Sequence, residues 1–192
     1  PNGKPEYAEA PISELCGSVI TAYSILALIY SNSNQLIDLS ILEIMADQLR
    51  THISLMPNKN NESYRLGCGH PLCSPWDVYS ANDGWVIICA SSDAHWVSLL
   101  NLMGKPDLLT DGRFTNVTLR RFNKVDVDRL VNEWTNGFSV KEVVEALKKI
   151  GLPSGPALSP TEVPFDKDLV NAGIVCIDNQ VAFALSLIHI SE

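Results

Sequence analysis

The chain has 192 residues, 46% of them hydrophobic and 19% charged, which suits a globular fold with a real core and excludes a disordered chain. The formal net charge of -8 argues against a nucleic-acid binder, which needs a basic face to displace counterions, and more weakly against docking on anionic membrane surfaces. The five cysteines are odd in number and irregular in spacing; only Cys68 and Cys73 are close, and no second pair follows at zinc-site spacing. They read as buried thiols of a reducing compartment, and no metal is expected.

The first residues, Pro1 to Pro11, are polar and lack the apolar core of a signal peptide, so a cytoplasmic protein is the default. The chain starts without Met in a stretch that runs straight into a helix, and both ends are expected to be cut. Ile12 to Ser31 carries a dense Ala, Leu and Ile pattern, too long for a strand. Its run from Val19 to Tyr30 is shorter than the roughly 20 residues a bilayer requires, so it reads as a helix buried against a sheet, and without that sheet it is expected to expose a large hydrophobic patch. Gln35 to Leu39 reads as a short strand feeding a helix from Ser40 to about Leu55. In that helix Ile41, Ile44, Met45, Leu49 and Ile53 share a face, and Ser40 with Glu43 fits a capping box.

Between Met56 and Pro75 the composition turns polar and rich in glycine and proline, which predicts a linker. Trp76 to Ala81 and Trp85 to Ala90 flank Asn82-Asp83-Gly84, a hairpin in which Asp-Gly is expected to supply positive φ. Asp93 is expected to cap a helix through Leu102 that stops at Gly104. A short acidic helix or turn spans Lys105 to Arg113, and an amphipathic helix spans Leu119 to Trp134. Another runs from Ser139 to Ile150, with Ser139 and Glu142 as a capping box and Gly151 as its stop. Gly151 to Pro156 excludes helix and predicts a stiff loop or the start of a strand. A short helix pair is expected over Thr161 to Val170 and a strand over Gly173 to Ile177.

Three stretches, in order, resemble family III CoA-transferases. The first is Pro11-Ile12-Ser13-Glu14 with its Ala/Leu helix and then Ile37-Asp38-Leu39-Ser40-Ile41-Leu42-Glu43. The second is Arg65-Leu66-Gly67 with His70-Pro71, then Pro75, Tyr79 and Asp83-Gly84-Trp85. The third is Gly104-Lys105-Pro106, Asp111-Gly112-Arg113-Phe114 and Gly151 to Pro156. The resemblance implies an α/β protein: the helical end of a Rossmann-like large domain (1–56), a linker (57–75), a small α/β domain (76–165) and a return toward the large domain (166–184). Residues 185–192 read LSLIHISE and resemble the translated end of a transposon adaptor, which sets His189 outside any site.

The resemblance also implies chemistry. CoA would pass between an acyl-CoA and a carboxylic acid through an enzyme carboxylate, with coenzyme A as substrate and a homodimer of interlocked subunits. Family members place an aspartate after a proline at the start of the long helix; the matching residue here is Glu14, one methylene longer. Three roles stay open for it: nucleophile, helix-capping acid of a non-catalytic subunit in a hetero-oligomer, or acid/base of an α-methylacyl-CoA racemase-like epimerase. Gly67, Gly69 and His70 fall in the segment that runs near the active site in relatives. Each also has a bland reading: a short loop without a lid role for the glycines, and a loop histidine bonded to backbone for His70. Trp76, Tyr79 and Trp85 read as packing rather than as adenine stackers. Arg120 and Arg121 read as a solvated helix face, with CoA phosphates as the alternative.

Overall fold

The structure, a computed structural model, describes residues 10–54, 66–173, 175–178 and 181–184. The sequence readings for 57–65 and 185–192 therefore lie outside the described residues. The chain divides into two compact units, Pro1–Gly67 and Cys68–Glu192.

In the first unit, helix α1 spans Ile12–Tyr30 and begins directly after Pro11. Proline suits a helix start because the N–H it lacks would be unpaired there. The loop over 33–40 has no regular structure, so the expected strand at Gln35 to Leu39 does not form. This segment has no neighbouring strand to pair with among the described residues, and a lone strand cannot satisfy its backbone. Ser40 then caps α2, Ile41–Gln48, by accepting from the Glu43 N–H at 3.4 Å. The single long helix expected here breaks at Leu49, and α3 covers Arg50–Ser54.

The apolar run of α1 is not buried within this unit; among its residues only Gly17 is. Val19, Tyr23, Leu26 and Tyr30, which recur at helical spacing, are 67%, 71%, 65% and 96% exposed. At 19 residues, α1 is also long and apolar enough to cross a membrane by length and composition, a test that core helices of soluble proteins pass too. An uncovered stripe of this kind drives association. Light scattering on this chain is expected to show self-association that Val19→Lys with Leu26→Lys relieves; a monodisperse monomer of the unaltered chain would contradict this.

The second unit is built on a sheet in the order β1-β2-β3, all antiparallel: β1 Trp76–Ala81, β2 Gly84–Cys89 and β3 Ser154–Pro156. The hairpin forms in the expected place, with Ala81 opposite Gly84. Its turn does not use positive φ, which among the described residues occurs only at Asn32, Gly67, Gly104, Gly151 and Gly173. Gly84 answers a packing demand instead, since a Cβ there would lie 3.2 Å from Val140 Cγ2. Asp83 Oδ1 accepts from the Val140 N–H at 2.7 Å and so ties the turn to a helix start.

One sheet face, with Tyr79, Val86 and Ile88, packs on α4 (Asp93–Leu102), α6 (Lys124–Thr135) and α7 (Val140–Lys149). Those helices contribute Leu99, Val131 and Leu147 among other fully buried residues. Ser92, not Asp93, is the N-cap of α4, accepting from His95 N–H at 3.1 Å. The expected helix from Leu119 to Trp134 breaks at Asn123 into α5, Val117–Phe122, and α6. Asn123 Nδ2 there donates to the Leu119 carbonyl at 2.9 Å, a side-chain bond that competes with helix continuation.

The Ser139–Glu142 capping box is complete, and Gly151 ends α7 at φ +69°. Nothing lies within 4 Å of a Cβ added at Gly151, so Gly151→Val tests backbone strain alone. It is expected to lower the stability of this unit by about 1–2 kcal/mol in urea unfolding; an unchanged midpoint would refute the assignment. A 3-10 turn at Val163–Phe165, α8 (Lys167–Asn171) and a two-stranded ribbon of β4 (Val175–Asp178) and β5 (Val181–Ala184) complete the unit.

Candidate functional site

Glu14 is the third residue of α1, in the turn where backbone N–H groups point out of the helix without intrahelical partners. Pro11 offers no side-chain cap; the Ile12 N–H donates to the Ala10 carbonyl at 2.8 Å, and the Glu14 N–H serves its own carboxylate. The Ser13 hydroxyl donates to Glu14 Oε2 at 2.7 Å. That bond first, and the backbone N–H of Glu14 second, hold the exposed carboxyl below its ordinary value of 4.5. The carboxylate is thus anionic throughout the neutral range. Ser18 Oγ donates back to the Glu14 carbonyl at 2.7 Å and tightens this first turn.

Glu14 stands on an open groove of about 640 Å³ between α1 and the start of α2 with the loop before it. Gly17, Ser18, Thr21 and Ile25 form one wall, and Leu39, Ile41 and Ile44 the other. Gly17 lets the two come together, with an added Cβ only 3.6 Å from Ile41 Cγ1. The result is a largely apolar groove with the Glu14 carboxylate among its lining residues. The sequence pointed to Glu14 but not to its partner; the only signal for Ser13 was a hydroxyl one residue before an acid.

Gly67 closes the first unit with φ +64° and is exposed, a conformation glycine adopts without strain. Gly69 and His70 belong to the second unit, so Glu14 is not described together with them. The His70 ring stacks on Trp76, with centroids 4.3 Å apart and planes 17° from parallel. Its Nδ1 accepts from the Leu72 N–H at 3.1 Å, and its backbone N–H donates to the Trp76 carbonyl at 2.9 Å.

Arg120 overturns its sequence reading. It does not lie on a solvated helix face but is 0% exposed. Its guanidinium donates to the carbonyls of Ser74 (3.0 Å), Phe114 (3.1 Å) and Ser92 (3.5 Å) and to Asp93 Oδ1 (2.8 Å), with the Trp96 ring 5.4 Å away. Helical periodicity marks α5 as amphipathic but cannot reveal that three irregular segments bring carbonyls to one guanidinium. A second cluster was equally invisible. Lys124 Nζ bonds both Asp77 and Asp128, and the Tyr79 hydroxyl donates to Asp128 at 2.8 Å. Burial opposes the Lys124 charge, but the bonds to the two aspartates outweigh it and raise its pKa. Burial first, then the Asp128 charge, push the Tyr79 hydroxyl far above its ordinary value, so it remains a donor. Of the three aromatics read as packing, Tyr79 is fully buried whereas Trp85 is 57% exposed.

The family model described as CoA-transferase family III matches residues 1–182. A succinate–glutarate CoA-transferase of Agrobacterium fabrum is 25% identical over 178 residues, covering 91% of this chain and 44% of that protein. An acetyl-CoA:oxalate CoA-transferase of Acetobacter aceti is 26% identical over 167 residues, covering 84% of this chain and 43% of that protein. Among solved structures, a CAIB/BAIF family protein from Brucella suis superposes with a TM-score of 0.71 at 22% identity, covering 100% of this chain and 52% of that one. The hypothetical protein Rv3272 of Mycobacterium tuberculosis gives 0.78 at 18% identity, covering 97% of this chain and 51% of that one. The chain spans about half the length of the curated relatives it matches.

Proposed function

The chain belongs to CoA-transferase family III, and from that premise we propose that it forms part of an enzyme that moves CoA from an acyl-CoA to a carboxylic acid, with Glu14 as the carboxylate that carries the group between them. The observation that carries this reading is the anionic Glu14 carboxyl at the N-terminus of α1, on an apolar groove.

The chemistry follows from that placement. A carboxylate oxygen of Glu14 attacks the thioester carbonyl; a C–O bond forms, the C–S bond breaks, and CoA leaves as its thiolate. The product is a mixed anhydride of Glu14 and the acyl group. The thiolate then attacks the Glu14 carbonyl carbon and expels the donor acid, leaving CoA on Glu14 as a thioester. The acceptor carboxylate attacks that thioester, and the released thiolate attacks the acceptor's acyl carbon. New acyl-CoA departs and Glu14 is a free carboxylate again. Each addition builds negative charge on an oxygen, and the helix N-terminus supplies partial positive charge where this occurs. A low carboxyl pKa keeps the nucleophile ionised.

In this reading residues 1–56 are the helical end of the large domain, 57–75 a linker, 76–165 the small domain and 166–184 the return. Gly67, Gly69 and His70 lie on the substrate side of the linker, and the whole protein acts as a homodimer on acyl-CoA and carboxylic acids. The relatives' names centre on short dicarboxylates, which makes these the first acceptors to try. The test incubates the full-length protein with succinyl-CoA and ¹³C-labelled dicarboxylic acids. Label entering the CoA-ester pool is the expected result. Loss of an α-deuterium from a 2-methylacyl-CoA without any transfer would overturn it in favour of the epimerase.

A further inference from the structure

The segment from His70 to Pro75 has no regular secondary structure, yet two consecutive arginines of α5 hold its carbonyls. The buried Arg120 donates to the Ser74 carbonyl at 3.0 Å and, through its other nitrogens, to Phe114, Ser92 and Asp93. Arg121 Nε donates to the Pro71 carbonyl at 2.5 Å. Adjacent residues on a helix point about 100° apart, so the two guanidiniums take the segment at separate points, Pro71 and Ser74. The ends of the segment are held by the sheet: His70 N–H donates to the Trp76 carbonyl, and Ala90 N–H donates to the Pro75 carbonyl at 2.8 Å. His70 lies immediately before the Arg121 contact. Its ring is fixed by the Trp76 stack and by the bond from Leu72 N–H to Nδ1. Because Nδ1 accepts, a neutral His70 carries its proton on Nε2.

We propose that Arg120 and Arg121 form a clamp that positions His70, fixing its ring orientation and its Nε2–H tautomer, and that they are positioning residues rather than ligands of CoA phosphates. Arg121 is the side that tests this cleanly, because it is only half-buried and holds the segment through the Pro71 carbonyl. Planar guanidinium geometry matters at such sites, and a lysine does not replace it. The catalytic consequence rests on the CoA-transfer reading above, whereas the placement of His70 does not.

The experiment records ¹⁵N-histidine spectra of the full-length protein at a fixed pH above the imidazole pKa, with His70→Asn to assign the signal. The parent is expected to show His70 with Nδ1 unprotonated and Nε2 protonated. Arg121→Met is expected to average the two tautomers with an unchanged thermal midpoint, and to lower kcat about tenfold with KM altered less than twofold. Should Arg121→Met fail to fold, Arg121→Gln takes its place. A His70 tautomer unchanged in the folded variant would overturn the clamp. A lost tautomer in a protein that moves no CoA would keep the clamp and reject the transferase reading instead.

Discussion

Glu14→Gln in the full-length protein is expected to lower CoA transfer at least a thousandfold, with the thermal midpoint unchanged. The amide is a far weaker nucleophile than the carboxylate, and losing covalent catalysis removes the route that splits the exchange into two accessible steps. Folding is spared because Glu14 is exposed and its side-chain partner is the adjacent Ser13. Ser13→Ala separates electrostatics from attack. It removes the largest cause of the low Glu14 pKa, so that pKa rises toward 4.5 while the group stays ionised at neutral pH. Activity near pH 7 is therefore expected to persist in Ser13→Ala, and its acidic limb to move toward higher pH. Glu14→Asp shortens the nucleophile by one methylene, and its rate relative to the parent measures how far the site is tuned to the longer acid.

Arg120→Met is expected to destabilise the second unit by about 3–5 kcal/mol, a large share of the stability of a typical domain. The substitution removes the donors that satisfy the carbonyls of Ser74, Phe114 and Ser92, and methionine returns none of them. Asp93→Asn is expected to cost less than about 1 kcal/mol, because the Asp93 side chain is 59% exposed and water takes over its end of the ion pair. Urea unfolding of the two variants measures the contrast. Equal shifts would mean that the ion pair, rather than the carbonyl clamp, is what Arg120 provides.

Local signals carried much of the fold. The Ser139–Glu142 box, the stop at Gly151 and the hairpin at Asn82-Asp83 were legible because each is decided within a few residues. The misread elements turn on contacts that residue patterns do not show. Gln35 to Leu39 has strand-like residues but no strand beside it among the described residues, and α5 and α6 part at Asn123, whose side chain bonds the Leu119 carbonyl, although the apolar period continues across the break. The stripe of α1 has the composition of a core helix, and its exposure in this chain follows the expectation that Val19 to Tyr30 stays uncovered without its sheet.

At the candidate site the position of the acid was legible from Pro11 and the helix that follows, and so was its chemical type. Its ionisation was not, because that is set by the rotamers of Ser13 and Glu14. Arg120, Arg121, Lys124 and Tyr79 escaped because most of their partners are distant in sequence. Their partners lie 27 to 50 residues away, apart from the Phe114 and Asp128 contacts of Arg120 and Lys124 that are near in sequence.

The most direct test of Glu14 as the carrier is to trap its intermediate. The full-length protein is incubated with an acyl-CoA, quenched with borohydride or hydroxylamine, digested, and its peptides are weighed by mass spectrometry. The reduced or hydroxamate-modified peptide is expected to contain Glu14 and to disappear in Glu14→Gln. Transfer that proceeds with no modification at Glu14, or with the label on another residue, would contradict the account.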